Sequence, residues 1–185
     1  GSYYRIGKDK PEDIKPYLEA ANLLGTDCIR VWFGEKGSAE IDSDGFSALA
    51  DQGRKTAEIA EKVGIQLCLE CHPFTLTDDY EVSKRYISEV GSPFLRMYWQ
   101  PNQFKSEGYN IKAASALADI TRNIHVFHWD SEYKKYPLKE GTEIWKKYLS
   151  CFGGSHTLIL EFMHDDRIES LKETAATLIS WLQKK

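Results

Sequence analysis

Residues 65–72 read Ile65-Gln66-Leu67-Cys68-Leu69-Glu70-Cys71-His72, and Gly64 stands before them. A short, nearly continuous apolar run bounded by glycine reads as a strand buried on both faces. The carboxylate that closes it is the informative residue. An ionisable group behind an aliphatic run is costly to desolvate unless it is paired or holds a cation. The same construction recurs along the chain. Residues 3–6, 28–33, 94–99, 124–129 and 157–162 are the other apolar runs, and the last carries Glu161 behind Leu158-Ile159-Leu160. Amphipathic segments separate them, over residues 11–24, 43–63, 79–90, 110–119, 140–151 and 166–183. Pro11 suits a first helical turn, and Gly25, Gly64 and Gly91 suit the residue after a helix.

Strands that alternate with helices imply βαβ units and a parallel sheet. The runs end near Gly7, Gly34, Glu70, Gln100, His125 and Glu161, at intervals of 27, 36, 30, 25 and 36 residues. Each interval is one β/α unit, which makes six units. A closed (β/α)8 barrel has eight and typically ~250 residues. The expectation is therefore an α/β chain of the (β/α)8 TIM-barrel type. Residues 1–185 form one N-terminally incomplete domain with six of eight units. The competing architecture is an open, doubly wound six-stranded sheet. It finds no Gly-rich phosphate loop after the first run, where Ile6-Gly7-Lys8-Asp9 stands.

Composition narrows the function classes. The chain has 185 residues, 42% hydrophobic and 28% charged, as in a folded globular domain. With 24 basic and 28 acidic residues the net charge is −4, which argues against a nucleic-acid partner. No apolar stretch approaches the ~18 residues of a membrane span. The four cysteines, three of them within apolar runs, read as free thiols of a reducing, cytoplasmic setting.

In parallel β/α proteins, ligands bind at the carboxyl ends of the strands. Glu70 and Glu161 stand there, with His72 just beyond Glu70, His125 within the fifth run and His128 three residues on. Alone, a strand-end glutamate is more often a salt-bridge partner, and a strand histidine more often a hydrogen-bonded core residue. Two carboxylates and an imidazole from three strand ends form a set that suits a divalent cation. Trp99, flanked by Gln100, Asn102 and Gln103, reads as a wall of the pocket. Arg30 and Arg96, inside strands, need acceptors.

The pieces IRVWFG, LCLECHPFTLTDD, YWQPNQ, HVFHWD, YPLKEG and LILEFM resemble sugar phosphate isomerases/epimerases of the xylose isomerase-like barrel superfamily. The resemblance implies a divalent metal (Mn, Mg or Zn) held by Glu, Asp, His and Glu from the last four strands. Glu70 and Glu161 match the two glutamates. His125 matches the histidine, with His128 as fallback. The Asp position falls on Gln100, whose neutral amide implies weaker metal binding or none. The implied chemistry is proton transfer beside a carbonyl through a cis-enediolate, with Glu70 and Glu161 as base and acid. His72 and Arg30 then contact substrate hydroxyls or phosphate, with Trp99 and His128 also on the substrate side. The partner is a small sugar or sugar phosphate, and the open edge suggests self-association. A decayed-site sugar-binding barrel, a dehydratase or lyase, and an abasic-site endonuclease are the competing readings.

Overall fold

The computed structural model describes residues 2–182. Six strands, β1 (Arg5–Ile6), β2 (Cys28–Phe33), β3 (Gln66–Glu70), β4 (Leu95–Trp99), β5 (Thr121–Val126) and β6 (Thr157–Leu160), pair in sequence order, every pair parallel. After them come α1 (Lys15–Leu23), α2 (Ser43–Glu61), α3 (Tyr80–Val90), α4 (Glu107–Leu117), α5 (Thr142–Ser150) and α6 (Leu171–Leu182). These are the six expected β/α units of a partial barrel, with β1 and β6 at its two edges. The expected end of the last helix, Gln183, lies outside the described residues. Among the described residues, no helix is long and apolar enough to cross a membrane.

Local chemistry sets the helix ends. Before α3, the Asp79 carboxylate accepts the backbone N–H groups of Glu81 and Val82, donors that the first turn leaves without partners. After it, Gly91 takes the left-handed conformation at φ 66° that closes a helix.

The strands sort their side chains by parity. Ile29, Val31, Phe33, Leu67, Leu69, Leu95 and Met97 join one core with Ala50, Ala57 and Tyr86 from the helices. Trp99, Ile124 and Val126 join a second with Leu117, Trp145 and Tyr148. The alternate residues, including Arg30, Glu70, Tyr98, Asn123 and His125, face the concave side. The dry core thus lies between sheet and helices, and the polar side chains are collected inside the curve.

β5 departs from expectation. It runs over Thr121–Val126, not over the apolar stretch 124–129. Its polar first half pairs with β4, Met97 opposite Thr121 and Tyr98 opposite Asn123, so Arg122 is an extra residue in a β-bulge. Asn123 is buried on the concave side, and the Thr121 hydroxyl donates to the Leu117 carbonyl. Hydropathy does not detect a strand whose inner face is polar. All four cysteines are free, as expected.

Candidate active site

Glu70, Gln100, His125 and Glu161 come from the C-terminal ends of β3, β4, β5 and β6 and meet on the concave side. Ligating atoms of Glu70, His125 and Glu161 all lie within 4.8 Å of one another. His125 is the hub. Its Nδ1 lies 2.7 Å from Gln100 Oε1, 3.4 Å from Glu161 Oε2 and 3.8 Å from Glu70 Oε1. Its ring packs on Tyr98, with centroids 4.1 Å apart. Glu70 is 3% exposed, and its Oε2 meets Arg30 Nη1 at 3.0 Å. The Arg30 guanidinium also lies over the Trp32 ring, 4.8 Å from its centroid.

Burial dominates the electrostatics. It pushes the Glu161 carboxyl up to about 7, helped by the neighbouring Glu70 charge and opposed by Arg30. It raises Glu70 too, against the pull of the Arg30 charge. It lowers His125 to about 3, with the Arg30 charge acting in the same direction. The imidazole is therefore neutral at physiological pH. Its contacts with the two carboxylates are donor-atom contacts, not ion pairs.

A cavity of about 330 Å³ opens above this cluster. Arg30, Glu70, His72, Gln100 and Glu161 line it, together with Trp32 and Phe127. His72 sits at its wall, ring against Trp32 at 4.8 Å, with Nδ1 2.8 Å from the Pro73 carbonyl. Arg30 reaches the site, but as the partner of Glu70.

Two expected site residues lie elsewhere. Trp99 is 1% exposed and packs outward against Trp145, Tyr148 and Phe152. Tyr98 and Gln100 have the inward parity, so the residue between them faces the helices. His128 likewise has outward parity from His125. It lines a separate 230 Å³ cavity with Trp145 and Tyr148 and packs on Tyr136.

The sequence reading missed Tyr98, Phe104 and Tyr133. Tyr98 was accessible by counting two residues back from Gln100. Phe104 and Tyr133 stand in loops, where no periodicity marks direction.

Comparison with known proteins gives the following. A family model described as the xylose isomerase-like TIM barrel matches residues 7–185. A 3-dehydroshikimate dehydratase of Bacillus anthracis is 31% identical over 77 residues, 42% of this chain and 28% of that protein. The matched stretch is thus less than a third of that curated relative's length. Among solved structures, the chain superposes on a probable 3-DHS dehydratase from Bacillus anthracis with TM-score 0.75 and 20% identity, covering 94% of this chain and 70% of the other. A xylose isomerase-like TIM barrel protein from Mycobacterium smegmatis in complex with magnesium gives 0.67 and 15%, covering 94% and 68%. An L-ribulose 3-epimerase gives 0.64 and 18%, covering 90% and 58%.

Proposed function

We propose that this chain, which belongs to the xylose isomerase-like TIM barrel family, holds one divalent cation (Mn, Mg or Zn) at Glu70, Gln100, His125 and Glu161. We propose further that it uses this centre to isomerise or epimerise a sugar by proton transfer beside a carbonyl. The observation that carries the reading is the convergence of two carboxylates and a neutral imidazole within 4.8 Å. The donor set fits the ion. Ligands about 2.1 Å from a cation and at right angles lie ~3 Å apart, and the 2.7, 3.4 and 3.8 Å separations around Nδ1 bracket that spacing. Two carboxylates also match the charge of a divalent ion.

A bound ion would supply Lewis-acid polarisation of a carbonyl. The chain's own groups supply the proton chemistry. Glu161, whose carboxylate a neighbouring cation would hold ionised, is placed to take a proton from carbon. Glu70, clamped by Arg30, stands on the other side of His125 to return one. Arg30 is the one lysine or arginine among the described residues lining the cavity, and it is engaged by Glu70. This favours an uncharged sugar over a phosphate ester.

The test is proton NMR in D₂O with Mn²⁺ and a panel of ketoses and aldoses. Deuterium should enter the carbon beside the carbonyl, with an epimer or isomer accumulating, and Glu161→Gln should abolish both. Absence of exchange across the panel counts against the reading. The 31% identical stretch shared with a dehydratase favours one second reading, in which the same base starts loss of a hydroxyl. The same spectra separate the two, because dehydration yields vinylic protons.

Gln100 provides a separate check on the ligand set. Gln100→Glu keeps the reach and adds a third carboxylate. Coulomb gain outweighs the added desolvation only modestly, so manganese affinity by calorimetry should rise about tenfold. An unchanged affinity places this side chain outside the ligand set.

A further inference from the structure

We propose that the mouth of the cavity is a second subsite that takes an aromatic ring carried by the substrate, so that the ligand is an aryl glycoside bearing a ring ketone, which supplies the carbonyl for the chemistry at the cavity floor, and not a bare sugar. This rests on the sugar reading above. Phe74, Phe104 and Tyr133 come from the loops after β3, β4 and β5 and line the same 330 Å³ cavity whose floor holds Glu70, Gln100 and Glu161. They form a chain of rings, Phe74 to Phe104 at 5.7 Å and Phe104 to Tyr133 at 5.3 Å, inclined at 49° and 75°. All three are left in water, at 67, 38 and 56% exposure.

Exposed aromatics are ordinary singly, but a contiguous cluster over a polar floor marks a binding site. The backbone adds an independent observation. Phe74 and Tyr133 have φ of 62° and 63°, a left-handed conformation that side chains other than glycine's adopt rarely and at an energetic cost. Burial of these two rings offsets little of that cost, because both are mostly exposed.

The turns beneath them are tied down. The Thr75 hydroxyl donates to the His72 carbonyl, and the Asp130 carboxylate accepts from the backbone N–H of Glu132 and Lys134. The cations of these loops are turned elsewhere: Lys105 lies over Tyr109, Lys134 over Tyr136, and Lys135 pairs with Asp166. The three rings offer one hydroxyl between them. Such a rim grips a planar ring by stacking and edge contacts, whereas a second sugar or an anion would ask for more donors.

Calorimetry on the full chain tests this, with phenyl β-D-glucopyranoside, methyl β-D-glucopyranoside and cellobiose as probes, each with and without Mn²⁺. The phenyl glycoside should bind about tenfold tighter than the methyl glycoside, and cellobiose no better than the methyl glycoside. Phe74→Ala with Tyr133→Ala should reduce the phenyl preference to within about threefold, and Phe104→Leu, which keeps the apolar bulk, should reduce it partway. The proposal is overturned by equal affinities in the parent, by a preference that survives the double variant, by cellobiose binding best, or by no phenyl glycoside binding at about 10 mM. Manganese titration of the parent reports separately on the metal reading. A phenyl preference without manganese binding sinks that reading and upholds the subsite.

Discussion

Glu161→Gln should weaken manganese binding at the proposed centre at least about a hundredfold, or ~2.7 kcal/mol, at about pH 8, because it removes one of its two carboxylates. Without metal, the same substitution stabilises the protein. The Glu161 carboxyl sits at about 7 when folded, against 4.5 as its ordinary value. A raised carboxyl binds its proton more tightly in the folded state, so its contribution is fully present below pH 4.5 and is lost as pH rises through about 7. The ionised group therefore costs about 3 kcal/mol above neutrality, and glutamine removes that term. Urea unfolding of parent and variant, each freed of metal by a chelator, should coincide near pH 4 and diverge near pH 8, the variant being the more stable. Added Mn²⁺ should reverse the order. If the variant is the less stable at both pH values, the carboxylate is engaged in a favourable contact and not held for an ion.

Arg30→Met is the second large effect. The Arg30–Glu70 pair is nearly sealed, with Glu70 3% exposed and 3.0 Å between the charged atoms. Methionine keeps an apolar stem over Trp32 but leaves the carboxylate without its counter-charge. Breaking a buried pair from one side costs about 3–5 kcal/mol. Burial already raises Glu70, and loss of Arg30 raises it further. The destabilisation should thus be largest near pH 8 and shrink near pH 4, where Glu70 takes a proton. Mn²⁺ should restore part of the loss, because the ion replaces the guanidinium as counter-charge. Thermal melts at the two pH values, with and without the ion, decide this. An equal loss at both would assign Arg30 to packing over Trp32 alone.

What the sequence disclosed follows from what hydropathy measures. Strands bounded by glycine and buried on both faces, such as that ending at Glu70, stand out as apolar runs. The spacing of their ends counted the six units. Glu70, His125 and Glu161 were legible because each closes or interrupts such a run with a group that needs a reason to be there. Gln100 was legible only through the family resemblance, because a neutral amide after a strand carries no signal of its own. Trp99 and His128 were misplaced for one common reason: an apolar run says that a strand is buried and does not say which of its residues face inward. The register of β5 was missed because its first residues are polar for separate local reasons: Thr121 bonds the Leu117 carbonyl, Arg122 meets Gln66 and Asp27, and Asn123 is buried on the concave side. The aromatic rim needed three loops to be folded before its members could be seen as neighbours.

The bulge at Arg122 gives β5 a length reserve that its neighbours lack. One residue there is surplus to the ladder, since two steps along β5, from Thr121 to Asn123, answer one step along β4, from Met97 to Tyr98. A gene losing the Arg122 codon would straighten the pairing and keep the aim of His125, at the cost of the Arg122 contacts with Asp27 and Gln66. The ladders of β3 record no such spare residue. A one-codon loss between Leu67 and Leu69 would turn Glu70 outward toward the helices. The two halves of the site therefore differ in how they tolerate insertions and deletions, although each supplies a residue of the same cluster.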